Sequence, residues 1–389
     1  MQAVILAAGE GQRLWPFTAA KPKVMIKVAG MPILEYVVRA LREAGIFDVI
    51  MVVGYKKERI MDYFGDGSSF GVKIKYTEQK QQLGTAHALK QAEEFVEDSF
   101  IVCPGDNIVD SRTIECALKP WTLVYKKVKP QEQTKYGSVV VDNGNVSCVV
   151  EKPEHAISNF ANTGIYSFEK TVFGGIGNET SLIPIINDVA SKFPLKAVET
   201  EGIWMDVVYP WDILKVNDLA MKFSGKVIAG RVEGNVNIIG DVRIGEKTII
   251  RGNSYIKGPV VIGEGCEIGP CSVIMPSTSI GNNVKIGANS YVSNSVINNS
   301  VFISAGCFIE DSVIDKGCVL GTNFSASKGM ADIKIGERVY GVETGVFIGE
   351  NCRISSNVVA EPGTIIGNDS MVSSLKLLKG ILPDMSMVF

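Results

Sequence analysis

The most regular feature of this chain is a column of apolar residues in its C-terminal half that recurs at every sixth position. The register slips by one residue at Ile297 and again at Ile314, and a last run begins at Ile348 after an interruption. A step of six fits neither an α-helix nor an amphipathic strand, but it is the period of a hexapeptide β-helix, in which each face of a coil holds one inward side chain. The column consists of Ile238, Ile244, Ile250, Ile256, Ile262, Ile268, Ile274, Ile280, Ile286, Val292, Ile297, Ile303, Ile309, Ile314, Leu320, Ile348, Ile354, Ala360, Ile366 and Val372.

The fourth residue after each column position is small, as a crowded coil corner requires. Serine, threonine, valine or cysteine stands there in nearly every coil. Four of the eight cysteines fall on this position, so they have a structural explanation and we assign them no chemistry. They are Cys266, Cys307, Cys318 and Cys352.

The N-terminal half has a different pattern, in which apolar runs with strand character alternate with helix-period stretches. Alternation of this kind predicts a mainly parallel sheet covered on both faces, and such sheets bind ligands at the carboxyl ends of their strands. The apolar runs are Val4–Ala8, Val49–Val53, Phe100–Pro104, Thr122–Lys127, Val139–Val141 and Ile165–Phe168, and the helical stretches are Ile33–Ala44, Glu58–Phe64 and Thr85–Phe95.

These patterns divide the chain into four parts. We expect an α/β Rossmann-like domain over residues 1–209, a connecting helix over 210–225, and a parallel β-helix over 226–372. The apolar tail 373–389 would be a liability if it were exposed, so we expect it to pack on a neighbouring surface.

The composition of the chain disfavours three classes of protein: nucleic-acid binders, membrane proteins and zinc proteins. The net charge of −3 and the pI near 5.7 disfavour a non-specific nucleic-acid binder. The longest apolar runs are too short to span a bilayer, and the first of them ends in a glycine loop rather than a cleavage site. We therefore expect a cytoplasmic protein with no nucleic-acid or membrane partner. Two histidines and no C-x-x-C pair disfavour a zinc site.

The candidate chemistry begins where the first apolar run enters a glycine loop. Gly9 and Gly11 are followed by Arg13, and Lys23 follows ten residues later beside a proline. Backbone N–H groups of such a loop can cradle phosphates, and the two cations can neutralise a triphosphate. The alternative interpretation is a tight turn with two surface cations.

Two common nucleotide motifs are excluded by the same stretch. Leu14 stands where the dinucleotide fingerprint needs its third glycine, and no Gly-Lys-Ser/Thr sequence follows the loop. The sequence therefore disfavours a nicotinamide enzyme and a P-loop enzyme.

The stretch Leu6-x-Ala8-Gly9-x-Gly11-x-Arg13-Leu14 with Pro22-Lys23 resembles the signature of the nucleotide-diphosphate-sugar pyrophosphorylases. The whole chain resembles the bifunctional N-acetylglucosamine-1-phosphate uridylyltransferase/glucosamine-1-phosphate acetyltransferase group and archaeal sugar-1-phosphate nucleotidylyltransferases. The resemblance implies a nucleotidyltransferase domain followed by a left-handed parallel β-helix. It implies Mg²⁺-dependent synthesis of an NDP-sugar from a sugar-1-phosphate, with release of pyrophosphate.

The resemblance also implies a set of site residues, although each of them taken alone could be a turn, a helix cap or a solvated ion pair. The catalytic group is Arg13, Lys23 and Asp106, and the metal ligands are Asp106 and Asp206. The nucleotide-binding residues are Leu6, Ala8, Gly9, Gly11, Gln79, Gly84 and Thr85. The residues that bind the sugar phosphate are Gly137, Glu151, Lys152 and Asn162.

Several functional alternatives stay open at this point. The expected donor is UTP with a glucose-type or N-acetylglucosamine-1-phosphate, and dTTP with glucose-1-phosphate is the second candidate. A catalytically silent regulatory or scaffold subunit is an alternative from another class. The β-helix contains no histidine, which predicts that it is not a histidine-based acetyltransferase, although acetyl transfer by another base stays open. The resemblance further implies a homotrimer or a dimer of trimers.

Overall fold

The chain divides into two units, and each is built from three separate stretches of sequence. The computed structural model describes residues 1–389 apart from the side chain of Gln131. The first unit comprises Met1–Glu10, Pro22–Met25 and Ile33–Asp206, and the second comprises Gly11–Lys21, Ile26–Pro32 and Val207–Phe389. No helix in the described part of the chain is long and apolar enough to cross a membrane.

The first unit is built on a nine-stranded sheet with the order β3-β2-β1-β4-β9-β6-β10-β8-β7, and β5 and β11 form a separate two-stranded sheet. The strands are β1 (Gln2–Ala7), β2 (Asp48–Val53), β3 (Lys73–Glu78), β4 (Ser99–Pro104), β5 (Asn107–Val109), β6 (Thr122–Lys127), β7 (Ser138–Asp142), β8 (Asn145–Val150), β9 (Phe160–Glu169), β10 (Lys196–Glu199) and β11 (Trp204–Asp206). The helices of this unit are α1 (Ile33–Glu43), α2 (Glu58–Phe64), α3 (Thr85–Lys90), α4 (Ser111–Glu115) and α5 (Leu182–Lys192).

The sheet is parallel in only part of its width. β3, β2, β1 and β4 run parallel to one another, as the alternating pattern predicts. β9 is antiparallel to both β4 and β6, and β7 is antiparallel to β8, whereas β6 and β10 are parallel, so the sheet is mixed rather than mainly parallel beyond β4. β7 and β8 are joined by a two-residue turn, which antiparallel pairing allows.

Apolar side chains explain why these segments fold as they do. β1 is buried along most of its length, because it lies between two parallel neighbours and is covered on both faces. α1 buries Leu34, Val37, Val38 and Leu41, which recur at helical spacing and face the sheet. The predicted strands and helices of this unit are all present, with ends that shift by a few residues.

The second unit is a stack of coils whose strands form three parallel sheets of nine, nine and eight strands. The first sheet contains Val227–Ile228, Val242–Ile244, Val260–Ile262, Thr278–Ile280, Val296–Ile297, Val313–Ile314, Phe347–Ile348, Ile365–Ile366 and Ile381–Leu382. The second contains Arg231–Val232, Ile249–Ile250, Glu267–Ile268, Lys285–Ile286, Phe302–Ile303, Val319–Leu320, Arg353–Ile354, Met371–Val372 and Met387–Val388. The third contains Asn237–Ile239, Tyr255–Lys257, Val273–Ile274, Tyr291–Ser293, Phe308–Glu310, Ser325–Ala326, Val359–Ala360 and Leu377–Leu378.

This arrangement is the hexapeptide-repeat β-helix that the six-residue period predicts. Ile244 pairs with Ile262, and Ile262 pairs with Ile280, so one coil takes eighteen residues, six for each face. At the two register slips the coil shortens to seventeen residues, since Ile280 pairs with Ile297 and Ile297 with Ile314. The stacked column residues form one continuous buried core.

Three further elements complete the unit. The predicted connecting segment contains α6 (Asp212–Ala220). An antiparallel hairpin of Gly329–Ile335 and Arg338–Thr344 is inserted between two coils. Strands Lys27–Val28 and Met31–Pro32 form a second small hairpin.

The coil corners hold the small residues that the sequence singled out. Cys266, Cys307, Cys318 and Cys352 are buried, and their thiols donate to backbone carbonyls of the next coil, for example Cys266 Sγ to Gly281 O at 2.9 Å. Burial raises the pKa of the Cys266 and Cys307 thiols, which keeps them protonated and unreactive.

The segment 373–389, which the sequence analysis separates as a tail, continues the coils in the structure. Leu377–Leu378, Ile381–Leu382 and Met387–Val388 each pair in parallel with the preceding strand of one of the three sheets. Leu378 is buried at the end of the column, whereas Leu375 and Phe389 stay exposed.

Neighbouring residues of one strand provide a test of the column. Ile244→Ala should lower the free energy of unfolding by about 2–5 kcal/mol, because it removes a fully buried side chain and leaves a cavity between coils. Arg243→Ala, on the exposed side of the same strand, should change it by less than about 0.5 kcal/mol. Chemical denaturation of both variants makes the comparison. Equal losses would show that Ile244 does not belong to the core.

Candidate active site

The carboxyl ends of the four parallel strands gather candidate residues at one edge of the first unit. Strands β1 to β4 end in register with their neighbours, so the residues that follow them meet there. These residues are Ala8 after β1, Gly54 after β2, Gln79 after β3 and Gly105 after β4. A Cβ on Gly105 would lie 3.1 Å from Leu6 O and 3.2 Å from the Cβ of Ala7, so any larger residue would crowd the neighbouring strand just before Asp106.

The centre of the candidate site is one lysine between two carboxylates. Lys23 Nζ lies 2.6 Å from Asp106 Oδ2 and 3.1 Å from Asp206 Oδ1. Asp106 directly precedes β5 and Asp206 ends β11. The antiparallel pairing of these two strands sets Asp206 opposite Asn107. The structure therefore brings together three residues that the sequence separates by up to 183 positions.

Electrostatics in this cluster follow from burial and charge balance. Burial would lower the pKa of Lys23, but the carboxylates of Asp106 and Asp206 outweigh it and raise that pKa. Burial raises the pKa of Asp206, and the neighbouring Asp106 carboxylate acts in the same direction, while Lys23 opposes both. Lys23 is therefore a fixed cation, and it relieves the repulsion between the two carboxylates.

The predicted nucleoside residues lie together after β3. Gln79 is buried, and its Nε2 donates to Gly84 O at 3.0 Å and lies 3.0 Å from His87 Nδ1. Thr85 Oγ1 accepts a hydrogen bond from Leu182 N. His87 thus orients the side chain of Gln79, a role that the sequence analysis does not assign to it. The spacing of eight residues between the two gave no signal for this contact.

Three of the four predicted sugar-phosphate residues also come together. A Cβ on Gly137 would lie 3.1 Å from Glu151 Oε2 and 3.5 Å from the Cβ of Asn162. Asn162 N donates to Gly137 O at 2.8 Å, and Asn162 Nδ2 donates to the hydroxyl of Tyr166 at 2.6 Å. Lys152 is exposed and lies 3.8 Å from Glu151.

The backbone carbonyl of Thr163 connects the segment that carries Asn162 to β5 and β11, the strands next to the two carboxylates. Thr163 O accepts hydrogen bonds from Asn107 Nδ2 and Trp204 Nε1, both at 3.1 Å. Asn107 follows Asp106, and Trp204 lies two residues before Asp206. The segment around Asn162 is therefore fixed against both strands that carry the carboxylates. Sequence reasoning missed Thr163 in this role because its contribution is a main-chain oxygen.

The remaining residues of the predicted phosphate loop are shared between the two units. Leu6 O accepts from Gly105 N at 2.9 Å, Ala8 O accepts from Tyr55 N at 3.2 Å, and Gly9 faces open space. Gly11 and Arg13 belong to the second unit. Gly11 has a left-handed φ of 76°, and Arg13 is exposed on the short 3₁₀ turn that follows. Their roles stay predictions from the sequence.

The donor set around Lys23 fits a hard divalent cation that substrate phosphates complete. Two carboxylates converge on a single position, and each has one oxygen that Lys23 does not engage. Among the described residues no group of three or more histidines, cysteines or carboxylates could hold a metal by itself. Mg²⁺ is commonly bound by one or two carboxylates together with substrate phosphates and water, so Asp106 and Asp206 fit that ion.

Gly84 offers a test of the nucleoside segment. Its φ of +133° is rare for a side-chain residue, and a Cβ there would lie 2.3 Å from Thr180 O. Gly84→Ala should therefore lower the free energy of unfolding by about 1–3 kcal/mol. Gly174→Ala is the matched control, since its Cβ would meet nothing within 4 Å, and it should stay within about 0.5 kcal/mol of wild type. Thermal unfolding of the two variants decides, and an unperturbed Gly84→Ala would contradict the close approach.

Comparison with known proteins adds family information. The model of the nucleotidyl transferase family matches residues 2–222, that of a GMPPB C-terminal domain matches 256–340, and that of the hexapeptide repeat of succinyl-transferase matches 333–361 and 345–374. The bifunctional protein GlmU of Methanocaldococcus jannaschii is 34% identical over 393 residues, covering 97% of this chain and 95% of the relative. A bifunctional sugar-1-phosphate nucleotidylyltransferase/acetyltransferase of Sulfurisphaera tokodaii is 34% identical over 394 residues, covering 94% of each chain.

A solved structure described as a glucose-1-phosphate thymidylyltransferase of Bacillus anthracis, in complex with a sucrose, is also similar. It has a TM-score of 0.51 and 27% identity, and the match covers 57% of this chain and 95% of that one.

Proposed function

The chain belongs to the nucleotidyl transferase family, and we propose that it joins UTP to a sugar-1-phosphate to give a UDP-sugar and pyrophosphate. The observation that carries this proposal is the cluster of Lys23, Asp106 and Asp206 at the carboxyl edge of the parallel strands. Hydrogen bonds to Thr163 O fix the segment around Asn162 against the two strands that carry these carboxylates. This arrangement supports binding of the sugar-1-phosphate next to the nucleotide.

The reaction needs positioning and charge stabilisation rather than a protein nucleophile. An oxygen of the sugar phosphate forms a bond to the α-phosphorus of UTP, and the bond from that phosphorus to the β-phosphate oxygen breaks, so that pyrophosphate leaves. Lys23 holds a permanent positive charge toward the phosphates. Asp106 and Asp206 are the residues that would hold Mg²⁺, which supplies charge neutralisation and alignment of the phosphates when bound.

The base and the sugar would be recognised by different parts of the first unit. Gln79 is held in one orientation by Gly84 O and His87, so it can present its remaining hydrogen-bonding capacity to a pyrimidine. Gly137 N, Glu151 and Asn162 would face sugar hydroxyls or an N-acetyl group, and Lys152 would meet the sugar phosphate. We favour glucose-type and N-acetylglucosamine-1-phosphate as acceptors.

The first experiment measures pyrophosphate release from UTP and from dTTP, with glucose-1-phosphate and N-acetylglucosamine-1-phosphate as acceptors. We expect the highest rate with UTP and no release after EDTA, with recovery when Mg²⁺ is returned. The likeness to the structure described as a thymidylyltransferase makes dTTP the second candidate, and a higher rate with dTTP would replace UTP by it. Absence of release with every pair would favour a regulatory or scaffold subunit.

The variant that tests the cluster is Asp106→Asn, which should lower kcat about a hundredfold or more, roughly 3 kcal/mol of lost transition-state stabilisation. Asp188→Asn is the control, because Asp188 forms an exposed pair with Lys192 on α5 and should leave kcat unchanged. A fully active Asp106→Asn variant would remove Asp106 from the mechanism.

The name of the Sulfurisphaera tokodaii relative also mentions acetyl transfer, which requires a base for the acceptor amine. Both histidines of this chain, His87 and His155, lie in the first unit, so none is available in the β-helix. Cys307 donates its thiol hydrogen to Gly321 O, and burial raises its pKa. Asp311 is different, since burial raises the pKa of its carboxyl although Asn294 and Lys328 oppose the shift, and it lines a cavity of about 710 Å³. No local pattern in the sequence predicts that environment.

We therefore expect no histidine-based acetyltransferase activity in the second unit. Thiol release from acetyl-CoA, with glucosamine-1-phosphate or galactosamine-1-phosphate as acceptor, should stay at background. A robust rate would overturn this expectation. Asp311→Asn would then be the first variant to make, with Cys307→Ala as its comparison, because only Asp311 has a perturbed carboxyl in a cavity.

A further inference from the structure

The segment Gly11–Lys21, which carries two residues of the predicted phosphate loop, is packed into the second unit rather than free. Leu14 and Phe17 are 1% exposed, and Thr18 is also buried. The rings of Phe17 and Phe347 pack edge to face, with their centroids 6.4 Å apart, and Phe347 belongs to the first β-helix sheet. A loop that binds phosphates through backbone N–H groups gains from such fixation, because it is ordered before the ligand arrives.

An ionic cluster fixes the end of this segment. Lys21 Nζ lies 2.6 Å from Asp315 Oδ2 and 2.9 Å from Glu350 Oε1. The other oxygen of Asp315 accepts hydrogen bonds from Asn298 Nδ2 at 2.9 Å and from Lys316 N at 2.8 Å. The second oxygen of Glu350 pairs with Lys316 Nζ at 3.1 Å.

Burial of these charged groups costs desolvation free energy, which only well-placed opposite charges and hydrogen bonds can offset. The carboxylate side chains of Asp315 and Glu350 are 1% and 6% exposed, and Lys21 is 16% exposed. Two carboxylates face two ammonium groups, so the cluster of Lys21, Lys316, Asp315 and Glu350 is neutral as a whole. Removal of one partner from such a cluster leaves a buried charge without compensation.

A second set of contacts holds the middle of the same segment. Asn368 Nδ2 donates to Pro16 O at 3.2 Å and to Asp384 Oδ1 at 3.0 Å, while Asn368 Oδ1 accepts from Glu350 N at 2.7 Å. Trp15 Nε1 lies 3.5 Å from the other oxygen of Asp384. One hydrogen-bonded network therefore links Trp15, Pro16 and Lys21 to the β-helix.

The polar residues of this network occupy one corner of successive coils. They follow the inward residues of the first sheet by one or two positions. The corner residues are Asn298, Asp315, Glu350, Asn368 and Asp384. The N-terminal segment is therefore held by corner positions, while the inward residues of the same coils, such as Ile314 and Ile348, stay in the apolar core.

We propose that Lys21, held by Asp315 and Glu350, is a positioning residue that fixes the segment Gly11–Lys21, so that Arg13 is ordered before the phosphates of the nucleotide bind. This inference rests on the proposed function. Arg13 acts on the nucleotide, and Lys21 acts through the segment that carries Arg13.

The test uses the full chain with Lys21→Met and Asp315→Asn. Amide hydrogen exchange of peptides covering 11–21 should become faster in both variants, because the local bonds Leu14 N to Gly11 O and Phe17 N to Leu14 O lose their support. The Kd of UTP, measured by calorimetry, should rise about tenfold. The Kd of the sugar-1-phosphate should stay within about twofold, which a general loss of stability would not produce.

Lys379→Met is the control. Lys379 forms an ion pair with Glu361 elsewhere on the β-helix and its side chain is 80% exposed, so UTP affinity and exchange over 11–21 should equal wild type. Wild-type exchange and wild-type UTP affinity in both Lys21→Met and Asp315→Asn would overturn the proposal. A wild-type chain that binds UTP but releases no pyrophosphate would instead refute the proposed function, while the role of Lys21 would still be decided by Kd and exchange.

Discussion

Each coil of the second unit has to place one aliphatic side chain inward on each of its three faces, because stacked coils enclose a core that water does not enter. Ile250, Ile268, Ile286 and Ile303 occupy one such line and are all buried. This constraint leaves the outward and corner positions free to vary. The corner at Asp315 and Glu350 uses that freedom to carry charge, while Ile314 and Ile348 beside it stay buried in the core.

The candidate site of the first unit depends on charge compensation, because one lysine lies between two carboxylates. Asp106 and Asp206 lie near enough to repel each other, and Lys23 compensates both while it remains partly accessible. The strands that hold the two acids pair with each other, so their separation is set by backbone hydrogen bonds. A divalent cation and the phosphates it accompanies would enter a place where positive charge is already favoured.

Much of this architecture could be predicted from local pattern, because each signal is complete within a short stretch of sequence. The column from Ile244 onward and the strand–loop at Val4–Gly9 are examples, and the structure contains both elements. The antiparallel pairings of the first sheet could not be predicted, since the pairing of β9 with β4 depends on where distant chain segments meet.

The candidate site divides in the same way. The family resemblance pointed to Lys23, Asp106 and Asp206, and the structure brings these three together. The contact between Lys21 and Asp315 could not be predicted, because the two residues are 294 positions apart and no repeating pattern of the sequence relates them. The orientation of Gln79 by His87 and the carbonyl of Thr163 were also beyond local pattern, because each depends on geometry rather than on residue type.

The coil length of the second unit also governs how this part of the chain can change in size. A deletion of a few residues inside a coil would rotate every later column residue off its face, whereas the one-residue shortening before Ile297 falls at a corner and is absorbed there. The hairpin at 329–344 likewise leaves between two coils and returns at the same point, since Ile314 pairs directly with Ile348. This architecture can therefore change in length by whole coils, or by inserted loops and hairpins that leave a coil and return to the same point.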